Sequence, residues 1–121
     1  MGKRILSIDD EEVIHRVLRA HLKDTDYELY TVLSGAEGLE LAQTVKFDLF
    51  LCDLKLVNEN GLDIIRELKG KYWRTHIIAL TGLVGDEIVV QARKAGANEY
   101  LSKPFEKAKL LAMIDKHISR F

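Results

Sequence analysis

The chain has 121 residues, of which 47% are hydrophobic and 31% charged, with one cysteine and a formal net charge of −1. That length corresponds to one domain, residues 1–121, able to bury a core without metal or disulfide staples. A lone cysteine excludes an internal disulfide and favours a reducing, cytoplasmic setting, and no apolar run reaches the ~18 residues of a membrane span.

In chain order, Arg4–Ile8 is a continuous strand-like run, which leaves no room for a signal peptide before it. Val13, Ile14, Val17, Leu18 and Leu22 recur at helical spacing. Tyr27–Val32 reads as a second strand, and Ser34 with Glu37 forms a capping-box pattern that opens a helix through Val45. Leu49–Cys52 is a third strand, and Leu62–Leu68 a third helix. His76–Leu80 is a fourth strand, followed by a helix over Ile88–Ala95 that Gly96 stops. Glu99–Leu101 is a short fifth strand, and Leu110, Leu111, Ile114 and Ile118 mark a last helix. Repeats, low-complexity tracts and linkers are absent from the sequence.

Five strands alternating with five helices predict an α/β fold, a doubly wound parallel sheet covered on both faces. Ligands of such sheets bind beyond the carboxyl ends of the strands, where strand order reverses. Asp9, Asp10 and Glu11 follow the first strand, Ser34 the second and Asp53 the third. Thr81 and Gly82 follow the fourth, and Ser102, Lys103 and Pro104 the fifth. Three aspartates, a hydroxyl and a lysine thus share one rim. Two carboxylates ~4 Å apart repel by about 4 kcal/mol at an effective dielectric near 20. A divalent cation relieves that repulsion, and hard oxygen ligands suit Mg²⁺. The rim carries no Cys or His cluster of the kind zinc selects. A phosphoryl dianion could then meet the cation, the Lys103 ammonium and the Thr81 hydroxyl, with Asp53 as nucleophile.

Read singly, each residue has a plainer explanation. Asp9 and Asp10 could cap the first helix, Asp53 could be a turn residue, Thr81 a cap and Lys103 a solvated cation. Their convergence on one rim favours a common site. Cys52 reads as a small core residue. His15, His21, His76 and His117 are scattered and read as structural or surface residues, with His76 and Trp73 away from the rim. Charge is uneven: residues 1–60 hold 12 acids and 7 bases, for −5, and residues 61–121 hold 7 acids and 11 bases, for +4. Solvated faces account for that as well as a partner surface does.

The stretches "ILSIDDEE", "LFLCDLKLVNENG", "IIALTG" and "EYLSKPF" together resemble the receiver domain of bacterial two-component response regulators, across essentially the whole chain. The resemblance implies a flavodoxin-like (βα)5 fold with strand order 2-1-3-4-5, similar to the chemotaxis regulator. It implies that Asp53 accepts phosphoryl from a phosphohistidine of a histidine kinase or histidine phosphotransfer protein. It places the metal, Mg²⁺ or alternatively Mn²⁺, on Asp10, Asp53 and the backbone carbonyl of Lys55, with Asp9 acting through water. Thr81 and Lys103 fall on the phosphoryl-binding positions, Thr81 and Tyr100 on the switch, and Lys103–Pro104 on a cis peptide. Ile14 and Val17 fall on the kinase-docking face of the first helix. The face of the fourth helix, fifth strand and fifth helix is expected to meet a downstream protein or effector domain, or a second copy in a phosphorylation-dependent dimer. Direct contact with nucleic acid or membrane is not expected. No enzyme activity is implied beyond self-catalysed phosphoryl acceptance and slow self-dephosphorylation.

Two positions depart from the family pattern. Val57 stands where the family usually has proline, and Lys55 occupies a variable position bordering the site. An aspartyl-phosphate hydrolase would place a general acid where Lys55 stands, and a flavodoxin would place a hydroxyl-rich loop where "DDEE" stands. The sequence ends just after the last helical segment, which fits a stand-alone regulator and a piece of a longer protein equally well.

Overall fold

The computed structural model describes residues 2–118. Strands β1 (Arg4–Ile8), β2 (Glu28–Val32), β3 (Leu49–Asp53), β6 (His76–Thr81) and β7 (Glu99–Ser102) form one sheet in the order β2-β1-β3-β6-β7. Every pairing in it is parallel. Helices α1 (Glu12–Leu22), α2 (Gly35–Ala42), α3 (Gly61–Lys71), α4 (Asp86–Ala95) and α5 (Lys107–Ile118) connect and cover the strands. This is the expected five-strand order. One element lies outside the expectation: the two-residue strands β4 (Lys55–Leu56) and β5 (Glu59–Asn60) form an antiparallel hairpin between β3 and α3.

The central strands alternate between two cores, as the two-residue period of a strand requires. Phe50, Cys52, Ile77 and Ala79 face one side, with Ile65 and Leu68 of α3 and Ala92 of α4. Leu49, Leu51, Ile78 and Leu80 face the other, with Leu18 of α1 and Leu110 and Ile114 of α5. All five residues of β3 are buried, so both flanks of Asp53 are fixed by packing. Cys52 is wholly buried, and burial pushes its thiol pKa up, so it serves as a core residue.

Helix ends follow local chemistry. The Ser34 hydroxyl caps α2 by accepting the Glu37 N–H at 3.1 Å. Helix α2 ends at Ala42 rather than at Val45: the Gln43 and Thr44 N–H groups bond three residues back, to the Glu40 and Leu41 carbonyls at 3.1 Å, which tightens the last turn. Gly96 ends α4 with φ +123°, a conformation that glycine adopts without strain.

Candidate functional site

The register of the sheet assembles the rim. Ile8 pairs with Cys52 and Asp53 with Leu80, so Asp9, Asp53 and Thr81 emerge side by side. Thr81 pairs with Ser102, and the Lys103 N–H bonds the Thr81 carbonyl at 2.8 Å, which brings Lys103 to the same end. Asp53, Lys55, Thr81, Gly82, Leu83, Lys103 and Glu11 line a cavity of about 290 Å³. The Lys103–Pro104 peptide is cis.

Charge in this rim is unbalanced. Carboxylate oxygens of Asp9, Asp10, Glu11 and Asp53 all lie within 4.8 Å of one another. Asp9 and Asp53 are buried. Lys103 Nζ lies 2.6 Å from Asp9 Oδ2, 3.0 Å from Glu11 Oε1 and 3.3 Å from Asp53 Oδ2. Burial opposes the Lys103 ammonium, but hydrogen bonds to Asp9 and Glu11 and the neighbouring charges outweigh it and hold its pKa above the usual lysine value. Burial likewise pushes the Asp53 pKa up; the Lys55 N–H and Lys103 offset part of that rise, and the charge of Asp9 adds to it. One ammonium among four carboxylates leaves a site that favours a further cation. The donor set is oxygen alone, which fits Mg²⁺ or Mn²⁺ and not a soft metal.

The hairpin fixes the outer wall. The Lys55 N–H donates to Asp53 Oδ1 at 3.2 Å, and the Val57 N–H donates to Asp10 Oδ2 at 2.8 Å. The Glu59 carboxylate accepts the N–H groups of Gly35 and Ala36 at 2.7 and 2.9 Å, clamping the hairpin to the start of α2. The Asn60 side chain caps α3 through the Leu62 N–H. Gly61 closes the loop because there is no room for a side chain: a Cβ there would lie 2.1 Å from the Asp53 carbonyl oxygen and 2.5 Å from Leu54 Cα.

Asp9 and Asp10 do not cap α1 in the ordinary way. The N-cap is Glu11, without a side-chain cap, while Asp9 Oδ1 accepts the Glu11 N–H at 2.9 Å. The Thr81 hydroxyl is buried and accepts the Leu83 N–H at 3.1 Å. The Tyr100 hydroxyl donates to the Leu83 carbonyl. Leu83 therefore joins the two expected switch residues. Ile14 and Val17 are both half-buried on α1, with Ile14 packed against the core, and Val13 is the more exposed residue of that turn. His76 starts β6, at the end of the sheet away from the rim. His15 is a structural residue, as expected, but it sits beneath the rim, its Nε2 2.8 Å from the Asp9 carbonyl and 3.2 Å from that of Val32. Val57, Glu59 and His15 escape sequence reasoning as parts of the site, and Glu11 is placed at the rim there without a role in it. For Glu11 a signal existed, since it adjoins the acid pair.

A model of the response regulator receiver domain matches residues 5–115. The cell cycle response regulator CtrA of Brucella ovis is 33% identical over 117 residues, covering 97% of this chain and 50% of that protein. The chain thus spans about half the length of the curated relatives it matches. The BeF3-activated receiver domain of DrrB, a Thermotoga maritima protein, is 30% identical with a TM-score of 0.91, covering 99% of this chain and 100% of that one. The receiver domain of sensor histidine kinase PA1611 from Pseudomonas aeruginosa, solved with a magnesium ion in its active site cleft, is 30% identical. Its TM-score is 0.89, and the match covers 98% of this chain and 99% of that one. With the rim, the sheet order and these matches in agreement, the chain belongs to the response regulator receiver domain family of two-component systems.

Proposed function

We propose that Asp53 is the phosphoacceptor and that Asp9, Asp10, Asp53 and the Lys55 carbonyl hold Mg²⁺, with Mn²⁺ as substitute. The observation that carries this reading is the rim itself: four carboxylates gather within 4.8 Å of one another, and the one ammonium among them reaches three, beside a cavity lined by Asp53. In the reaction a carboxylate oxygen of Asp53 attacks phosphorus of a phosphohistidine, the P–N bond breaks, and its electron pair leaves on the donor imidazole, which takes up a proton. A cation held there would supply charge neutralisation for the incoming phosphoryl oxygens. Lys103, already 3.3 Å from Asp53 Oδ2, turns its ammonium to the same oxygens, and the Thr81 hydroxyl donates to one of them.

The Thr81 hydroxyl accepts the Leu83 N–H and keeps its own proton to donate, so its shift toward the phosphoryl group draws on Leu83. Because Leu83 also holds the Tyr100 hydroxyl, that pull frees the Tyr100 ring to turn inward. The surface of α4, β7 and α5 then changes toward a downstream protein or effector domain, or toward a second copy. The donor is a histidine kinase or phosphotransfer protein that docks on α1 at Ile14 and Val17. The Lys55 side chain, exposed at the mouth of the cavity, shields the acyl phosphate from in-line water and slows its loss. Residues 1–121 act as one receiver domain in the cytoplasm, with no chemistry of their own beyond accepting phosphoryl and losing it slowly. This domain contacts neither nucleic acid nor membrane, and among the described residues no helix is long and apolar enough to cross a membrane.

The test uses radiolabelled phosphohistidine protein and radiolabelled acetyl phosphate as donors. Wild type should take up label only with Mg²⁺, and Asp53→Asn should take up none. Label retained by Asp53→Asn, or full transfer in excess chelator, overturns the assignment.

A further inference from the structure

Asp10 is answered differently from its neighbours. Lys103 reaches Asp9, Glu11 and Asp53 but not Asp10. Among the described residues, the one hydrogen bond Asp10 makes is the bond its Oδ2 accepts from the backbone N–H of Val57, at 2.8 Å. The Val57 side chain is 69% exposed, so the residue contributes little to the core. Its contribution to the site is a main-chain donor, which proline would lack.

That donor sits on a rigid support. Leu56 pairs with Glu59 and Lys55 with Asn60, the Glu59 carboxylate is bonded to α2, and the Gly61 N–H is bonded to the Leu54 carbonyl at 3.1 Å. One oxygen of Asp10 is therefore tied to a fixed point, while the other has no hydrogen-bond partner among the described residues. Carboxylates that bind metals are usually oriented by such outer hydrogen bonds, whose removal typically weakens metal binding by about 10- to 100-fold.

We infer that the Val57 backbone N–H is a positioning group for the cation site, holding the Asp10 carboxylate ready for a divalent cation and so setting the cation affinity of this chain. The inference rests on the cation site proposed above. It adds a determinant that belongs to this sequence, since proline is usual at this position in the family.

The turn itself permits a clean test. Asn58 has φ +61° at the second central position of the hairpin, and Val57 is not among the described residues with positive φ. Turns of this kind accept proline at the first central position, and Leu56 is extended, as a residue before proline prefers. Val57→Pro thus removes the donor and keeps the turn, while Val57→Ala trims the side chain and keeps the donor. Mg²⁺ is titrated calorimetrically into each protein without a phosphodonor, and thermal unfolding in EDTA checks the fold. Val57→Pro should bind Mg²⁺ about tenfold more weakly than wild type, and Val57→Ala within about twofold of it. Equal or tighter binding by Val57→Pro overturns the inference, as does an equal loss in both variants. A wild type that binds no Mg²⁺ overturns the cation site and this inference together. Should Val57→Pro fail to fold, amide hydrogen exchange of wild type decides. The Val57 N–H should stay protected with and without saturating Mg²⁺, and loss of protection on Mg²⁺ binding would refute the positioning role.

Discussion

The two ends of the sheet treat their polar groups in opposite ways. At the end where the strands begin, buried and half-buried polar groups are answered by one another. The Arg4 N–H bonds the Asp48 carboxylate at 2.8 Å, and the Asn98 side-chain carbonyl takes both the Ile77 N–H and the Lys69 ammonium at 2.9 Å. Lys69 also donates to the Thr75 carbonyl at 3.0 Å. At the end where the strands finish, one ammonium serves three carboxylates and a fourth leans on a backbone N–H. The first end is closed on itself. The second holds surplus negative charge in a cavity, a cost that a purely structural rim would not carry. The difference marks the second end as the candidate site without reference to any relative.

The sharpest way to break the comparison is Lys103→Met. Without the ammonium, buried Asp9 and Asp53 face each other uncompensated, and losing one partner of a buried ion pair typically costs about 3–5 kcal/mol. We expect a loss near the lower figure, because Glu11 is exposed. Saturating Mg²⁺ should restore a substantial part of it, since a cation answers the same carboxylates. Urea unfolding with Mg²⁺ and with EDTA checks both points. A loss that ignores Mg²⁺ would mean that the rim is as self-contained as the opposite end.

Much of that rim was legible in the sequence because it sits at strand ends. Apolar runs such as Leu49–Cys52 fix where a strand stops, and a doubly wound sheet gathers those stops. The β4–β5 hairpin was not legible. Two-residue strands have no period to detect, and Val57 acts through a main-chain N–H that any residue but proline carries. Glu59 was hidden for another reason: it clamps the start of α2 from 24 positions away, a contact that local capping rules do not foresee. His15 was read by residue type, and its place under Asp9 depends on how α1 packs on β1 and β2.

The matching change at the closed end is Asn98→Ala. It leaves the Ile77 N–H without its acceptor and takes one acceptor from Lys69. An unsatisfied buried donor costs about 1–3 kcal/mol, so a loss of about 2 kcal/mol is expected. Unlike Lys103→Met, this loss should be the same in Mg²⁺ and in EDTA, as read from the same urea curves. Recovery with Mg²⁺ would show that the two ends communicate.

The smallest effect concerns Glu99, where β7 begins. Its carboxylate lies 3.1 Å from His117 Nε2, 3.2 Å from Lys116 Nζ and 3.7 Å from Arg93 Nη2, and His117 in turn meets His76 at 2.8 Å. Burial alone would raise the Glu99 pKa, but the hydrogen bonds from His117 and Lys116, with their charges, outweigh it and hold the group below the usual glutamate value. A carboxyl whose folded pKa is depressed contributes stability above its unfolded pKa, about 4.3, and loses it as pH falls through the folded value. Lys116 and Arg93 are exposed and screened by solvent, so the contribution is a few tenths of a kcal/mol. Glu99→Gln should therefore flatten the fall of stability below about pH 4.3 and lower stability slightly at pH 7, with no change in Mg²⁺ affinity. Urea curves from pH 3 to 7 and a calorimetric Mg²⁺ titration measure these quantities. An unchanged acid limb would show that the cluster is not holding Glu99 ionised, and a shifted Mg²⁺ affinity would show that charge at the closed end reaches the rim.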